Sequence, residues 1–231
     1  MLEIIVLDAA DAGAAQEGGA DRLEVVADMA ADGLTPDPVV VREIRAATDL
    51  PLRAMLRANA RFTASTPEIG RLCRAAEALA EAGADGFVFG FLDDDGRVDV
   101  AATGKLVHVI APLPWTFHRA VDHAADPAQA WRAVCDLAPD AVLTAGSPRG
   151  VDAGVDLLVR RAARTPGLVL AGGGLRRKHV AVLAAAGVDA FHVGGGVRPG
   201  GSWERPVSAG LVREWRGLVS AVNERLPPVN V

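Results

Sequence analysis

The stretch "EAGADGFVFG" (81–90) decides how the chain folds. It joins a helical pattern to an apolar run through Gly83, a residue free to take the left-handed conformation that ends a helix. The same junction occurs as "EGGADRLEV" (17–25) and as "AAGVDAFHV" (185–193), and "LAPDA" (137–141) marks it with Pro in the place of Gly. Working outward from these junctions, the chain divides into eight strand–helix units. The strands are expected at 2–7, 22–26, 52–57, 86–90, 115–118, 141–144, 168–171 and 190–193. The helices are expected at 9–17, 38–47, 67–82, 99–110, 127–137, 151–164, 176–186 and 206–225. Thr66-Pro67 and Asp126-Pro127 each place Pro at a first helical position behind a capping residue. Eight alternating units mean a parallel sheet, most simply closed as a (βα)8 TIM-type barrel, α/β in class. A doubly wound open sheet is the runner-up. The expected organisation is a single domain over 1–231, with 227–231 a loose tail.

The chain has 231 residues, half of them apolar, enough for one such barrel and a large core. A net charge of −5 with no basic block argues against nucleic acid as a partner. No apolar stretch approaches the ~18 residues of a membrane span. "MLEIIVLD" (1–8) reads as a first strand rather than a signal peptide, so the expected location is cytoplasmic. Cys73 and Cys135 fall at helical spacing among apolar residues and are expected to be buried core thiols, neither catalytic nor disulfide-bonded. Lys105 and Lys178, the only lysines, fall on helices, which disfavours Schiff-base chemistry.

Alternation sorts each strand into a helix-facing and a lumen-facing side. Leu23, Val25, Ala54, Leu56, Trp115, Phe117, Phe191 and Val193 face the helices. That turns Glu3, Arg22, Glu24, Arg53, Arg57, His118 and His192 into the lumen. Buried charges must be paired or bound to something. Glu3, Arg22 and Arg53 stand at strand starts, where a structural role is expected. Glu24, Arg57, His118 and His192 stand nearer the carboxyl ends, the face on which barrel active sites form. Arg119 and Asp122 follow His118 in "WTFHRAVD" (115–122). The candidate catalytic set is therefore His118, Glu24, Arg57, Arg119 and Asp122, with His118 as acid or base and the arginines as an anion clamp. "AGGGLRR" (171–177) and "VGGGVRPGG" (193–201) follow the seventh and eighth strands. Gly172, Gly173, Gly174, Gly194 and Gly195, with Arg198, are candidates for cradling phosphate, and Thr144 and Gly146 add donors to the same rim. The simpler role of those glycines is to make tight turns.

Taken in order, "EGGADRLEV" (17–25), "DGLTP" (32–36), "MLR" (55–57), "GADGFVFG" (83–90), "TFHRAVD" (116–122), "LTAG" (143–146) and "AGGGL" (171–175) resemble the copper homeostasis protein family, CutC. The resemblance covers about residues 2–194. It implies a (βα)8-type barrel, a cytoplasmic and usually homo-oligomeric protein, and a role in copper handling. Where the family typically carries cysteines in its first two strands, this sequence has Ile5 and Val26, and the eighth strand ends "FHVGGGVRPGG" (191–201) in place of an "FHxSAR"-like segment. Cu(I) favours soft ligands, and of these the lumen retains Met55, with the two histidines but no thiol. Three roles follow: a copper-binding member of the family, an enzyme or binding protein for a small anionic or phosphorylated metabolite, and a structural barrel whose polar lumen is paired filler.

Overall fold

The computed structural model describes residues 1–223. Strands β1 (Leu2–Val6), β2 (Arg22–Val25), β3 (Leu52–Met55), β4 (Gly86–Phe89), β5 (Trp115–Phe117), β6 (Ala141–Thr144), β7 (Val169–Ala171) and β8 (Ala190–Val193) alternate with helices. These are α1 (Ala9–Gly18), α2 (Pro38–Ala47), α3 (Thr66–Glu81), α4 (Val100–Ile110), α5 (Pro127–Asp136), α6 (Val151–Arg164), α7 (Arg177–Ala185) and α8 (Ala209–Asn223). All strand pairs are parallel, and β1 pairs with β8 through Glu3 and His192, closing the ring. The open doubly wound sheet is thereby excluded. The expected tail at 227–231 and the last two residues expected of the eighth helix, 224–225, lie outside the described residues. No helix among those described is long and apolar enough to cross a membrane.

Several strands end one or two residues earlier than the alternation suggests. Val26, Leu56, Arg57, Gly90 and His118 all lie just past the ladder. The reason is visible at Arg57, whose N–H bonds to Thr35 Oγ1 at 2.8 Å and not to a neighbouring strand. The strand-end residues have already begun to build the rim.

The layer between sheet and helices is apolar, and every residue assigned to that side is buried there. The lumen is not uniform. Glu3, Arg22, Glu24, Arg53 and His192 fill the arc of β1–β3 and β8, whereas Ala141, Leu143, Leu170 and Ala190 make an apolar arc along β6–β8. Above the charged arc, Ile5, Val26, Met55 and Val88 form a second apolar cluster. Gly86 is essential to this packing. A Cβ there would lie 2.0 Å from Arg53 Nη1 and 2.3 Å from the Pro114 carbonyl, so only glycine lets the guanidinium enter the shaft.

The repeated junctions have a common use at the amino-terminal rim. Gly19, Gly83 and Gly187 take positive φ, as the repeats require. At the fourth junction Ala138, not Pro139, takes that conformation, at φ 53°. At three of these four junctions the aspartate that follows reaches back to the first amide of the preceding strand. Asp21 accepts from Leu2 N at 2.6 Å, Asp85 from Leu52 N at 2.9 Å and Asp140 from Trp115 N at 2.7 Å. Both cysteines are free and only partly buried, more exposed than core thiols would be.

Candidate functional site at the carboxyl ends of the strands

A cavity of about 310 Å³ opens at the carboxyl ends of the strands. Of the residues expected at a site, Glu24, Arg57, His118, Arg119, Gly173, Gly174, His192, Gly194 and Gly195 line it. Asp122, Thr144, Gly146, Gly172 and Arg198 stand behind its wall. Met29, Leu175 and Trp203 also line it, from loops that strand alternation does not describe.

The wall on the β1–β2–β8 side is a chain of four ionisable groups. Register places Glu3 beside both Arg22 and His192. Arg22 Nε donates to Glu3 Oε2, and His192 Nδ1 lies 2.7 Å from Glu3 Oε1. The other ring nitrogen, Nε2, faces Glu24 Oε2 at 3.7 Å. Burial opposes a charge on His192, but Glu24 and Glu3 on either side of the ring outweigh it and raise its pKa. Burial also works against ionised Glu3, yet the His192 hydrogen bond and the Arg22 charge hold that carboxyl at about 2. Glu24 goes the other way. Burial, with the negative charge of Glu3 adding to it, pushes its pKa up to about 7. Its second oxygen, Oε1, is buried without a hydrogen-bond partner among the described residues.

His118 stands on the β5 side, 3% exposed. Its Nδ1 accepts from Ala120 N at 3.3 Å. Burial, with the positive charge of Arg57 adding to it, holds its pKa down at about 3, so the ring is neutral. A neutral ring whose Nδ1 accepts must carry its proton on Nε2. That Nε2 is buried and has no partner among the described residues. Phe62 packs edge-on to the ring at 5.4 Å and fixes its plane.

The arginines are held by the protein itself. Arg57 donates to the carbonyls of Ala31, Asp32, Gly33 and Ala60, tying the β2–α2 loop to the β3–α3 loop, and it makes no pair with Glu24. Arg119 Nε bonds to Asp122 Oδ2 at 3.2 Å, and its Nη2 reaches the carbonyls of Ser147 and Pro148. Asp122 is the hub behind them. It accepts from Thr144 Oγ1 at 2.5 Å, Ala145 N at 2.7 Å and Gly146 N at 3.1 Å, and faces Arg161 Nη1 at 3.6 Å. Thr144 and Gly146 therefore point at Asp122 and away from the cavity. Arg198 is bound to Asp11 and to the Arg205 carbonyl at 2.7 Å. Arg161 is absent from the candidate set, although the sequence carries a signal for it. It interrupts the buried stripe Val151, Gly154, Leu158 of α6, where an arginine needs a partner.

Backbone amides line the remaining side. Among the described residues, the N–H groups of Gly173, Gly174 and Leu175 have no acceptor, and all three residues line the cavity ahead of α7. Gly173 and Gly174 hold positive φ, and a Cβ on Gly173 would lie 2.5 Å from Arg119 Nε. Gly172 serves packing: a Cβ there would strike Leu143 and His192.

Glu3, Glu24 and His192 bring ligand-type atoms within 4.8 Å of one another. They do not fit a Cu(I) ion. Glu3 is already neutralised by Arg22 and His192, and the set offers hard oxygen and imidazole donors with no thiolate. Cys73 and Cys135 belong to helices α3 and α5, outside the barrel wall, and neither lines the cavity. The soft donors that do line it are the thioethers of Met29 and Met55.

Comparison with known proteins agrees with this architecture. A CutC family protein of Klebsiella pneumoniae (strain 342) is 34% identical over 199 residues, covering 85% of this chain and 80% of its own length. The human copper homeostasis protein cutC homolog is 33% identical over 197 residues, covering 83% of this chain and 72% of that protein. A solved CutC structure from Streptococcus agalactiae superposes with a TM-score of 0.75 at 19% identity, over 84% of this chain and 97% of the other, which is likeness of fold. The pattern of the CutC family matches residues 1–197, and the chain belongs to that family.

Proposed function

We propose that this chain, as a single-domain, cytoplasmic and homo-oligomeric member of its family, takes part in copper homeostasis, the role carried in its human relative's name, by binding a small anionic guest. The guest, a carboxylate or phosphate ester, occupies the carboxyl-face cavity. The observation that carries the reading is the convergence of unpartnered donors on one enclosure. Gly173, Gly174 and Leu175, whose N–H groups have no acceptor among the described residues, line it together, and Arg119 lines it beside them. Loops after the seventh and eighth strands of barrels are a frequent phosphate site, and the start of α7 adds its dipole. Arg119, held against Gly173, adds a positive charge beside those amides without leaving Asp122. Two free thiols suit a reducing compartment.

Titration calorimetry with inorganic phosphate and glycerol 3-phosphate tests the reading. Saturable binding is expected, weakened at least about tenfold in Gly173→Ala, where the new Cβ displaces Arg119 and strains the loop. Binding unchanged in that variant, or absent from the wild type, removes the anion site. Copper as cargo is a second reading, favoured by Met29 and Met55 at the cavity. Titration with Cu(I) against a competing chelator decides it: competition lost in Met55→Leu supports it, and none in the wild type ends it.

A further inference from the structure

We infer that Glu24 and His192 together hold a divalent transition-metal ion of zinc type in the wall of the cavity. Four carboxylates are buried among the described residues: Glu3, Asp11, Glu24 and Asp122. Three of them are met by arginine. Arg22 binds Glu3, Arg198 binds Asp11, and Arg119 and Arg161 face Asp122. Glu24 has no arginine or lysine within ion-pair reach and no hydrogen bond on either oxygen among the described residues. A buried carboxylate in that state is strongly disfavoured unless it takes up a proton or a cation. The group it does face stands too far off to be a hydrogen-bond donor to it. His192 Nε2 lies 3.7 Å from Glu24 Oε2. Hydrogen-bonded N···O pairs stand about 2.7–3.2 Å apart, so a proton shared between these two atoms would draw them closer. Two ligand atoms on one zinc-type ion, each about 2.0–2.2 Å from it, stand about 3.3–3.8 Å apart. The spacing is that of two ligands around a common cation.

The surroundings suit the role. His192 Nδ1 donates to Glu3 Oε1 at 2.7 Å, and Glu3 is itself held by Arg22. A carboxylate on one ring nitrogen, with the other left free, is how metal-binding imidazoles are set. Glu24 Oε1 is closed off from solvent, whereas Oε2 and His192 Nε2 are not, and both residues line the cavity. Two protein ligands leave the rest of a four-coordinate shell to water from that side. One imidazole nitrogen with one carboxylate oxygen favours a borderline cation such as Zn2+ over soft Cu(I) or hard Mg2+. Arg22, the fixed positive charge on this wall, is offset by Glu3. The metal site stands apart from the anion site at Gly173, Gly174 and Leu175, and neither needs the other.

The test is titration of the purified chain, first dialysed against EDTA, with Zn2+ in competition with a colorimetric zinc chelator. One ion per chain is expected, and excess Mg2+ is expected not to displace it. Glu24→Gln and His192→Gln are each expected to weaken binding at least about tenfold, with circular dichroism unchanged. His123→Gln, on the same cavity but packed on Phe62, is expected to bind as the wild type does. No competition by the wild type, or binding unchanged in Glu24→Gln or His192→Gln, overturns the inference. Loss of binding in His123→Gln takes the ion off this pair and overturns it too, and displacement by Mg2+ overturns the metal class. If the variants do not fold, zinc-edge X-ray absorption of the loaded wild type decides. A shell of oxygen and nitrogen with one imidazole supports the pair, and sulfur or several imidazoles in that shell overturn it. Calorimetry with inorganic phosphate on the zinc-free protein reads the anion site separately, so that either site can fail alone.

Discussion

The two rims of this barrel use similar residues in opposite ways. At the amino-terminal rim, Asp21, Asp85 and Asp140 each close on a backbone amide of the strand before them. At the carboxyl rim, Glu24 makes no hydrogen bond with either oxygen among the described residues and His118 leaves Nε2 without one, although both side chains are almost wholly buried. Leaving a buried polar atom unmatched costs about 1–3 kcal/mol. The aspartates of the first rim are spent on the fold, whereas Glu24 is not, although the lower shaft has bare atoms of its own in Arg22 Nη2 and Arg53 Nη1. Asp122 shows that the difference is not one of position alone. It too lies at the carboxyl end, yet it is saturated by a hydroxyl, two amides and two guanidinium groups and works as a brace.

The largest expected effect breaks that brace. Asp122→Ala leaves Arg161 buried without its carboxylate and frees the 144–146 loop, and a loss of about 3–5 kcal/mol is expected in urea unfolding. A loss under about 1 kcal/mol would place Asp122 among the groups held for a ligand.

A pH series separates the two bare atoms. Folding raises the Glu24 pKa from 4.5 to about 7, so the native state holds the extra proton in that window and stability falls as pH rises through it. Folding lowers the His118 pKa from 6.5 to about 3, so stability falls as pH drops from 6.5 towards 3. Relative to wild type, Glu24→Gln is expected to gain as pH climbs from 4.5 to 7, and His118→Gln to gain as pH falls below 6.5. Each slope approaches at most about 1.4 kcal/mol per pH unit. Parallel curves for the variants and the wild type would mean that neither group is perturbed by folding.

At the opposite rim a smaller effect is expected. Asp140→Ala removes one acceptor from Trp115 N near solvent and is expected to cost about 1 kcal/mol, with guest binding unchanged. The smallest expected effect is a gain. Ala138 adopts φ 53° where the other junctions use glycine. Ala138→Gly relieves about 1 kcal/mol and is expected to raise Tm by roughly 2–4 °C.

Sequence reasoning reached the barrel because the signals were local and repeated. Gly83 with Asp85, Gly19 with Asp21 and Gly187 with Asp189 mark the same turn, and period-two alternation turns Glu24, His118 and His192 into the shaft, where all three are buried. The site was less legible, because alternation says which way a side chain points and not what it meets. Arg57, expected as a clamp, points inward but binds the carbonyls of its own loops. Glu3, assigned to the base of the shaft, is one hydrogen bond from His192, because parallel register sets those two residues side by side. Arg161 and Trp203 reach their places through a helix face and a loop. Of the two only Arg161 leaves a trace, as a charge in an apolar stripe.

Arg53 and Gly86 occupy one volume between them. Shortening Arg53 opens a void against β4, and a methyl group at 86 strikes the Pro114 carbonyl whatever stands at 53. Gly86 is thus held by a side chain on one flank and by backbone on the other, and anyone redesigning the lower shaft can exchange Arg53 but must keep the glycine.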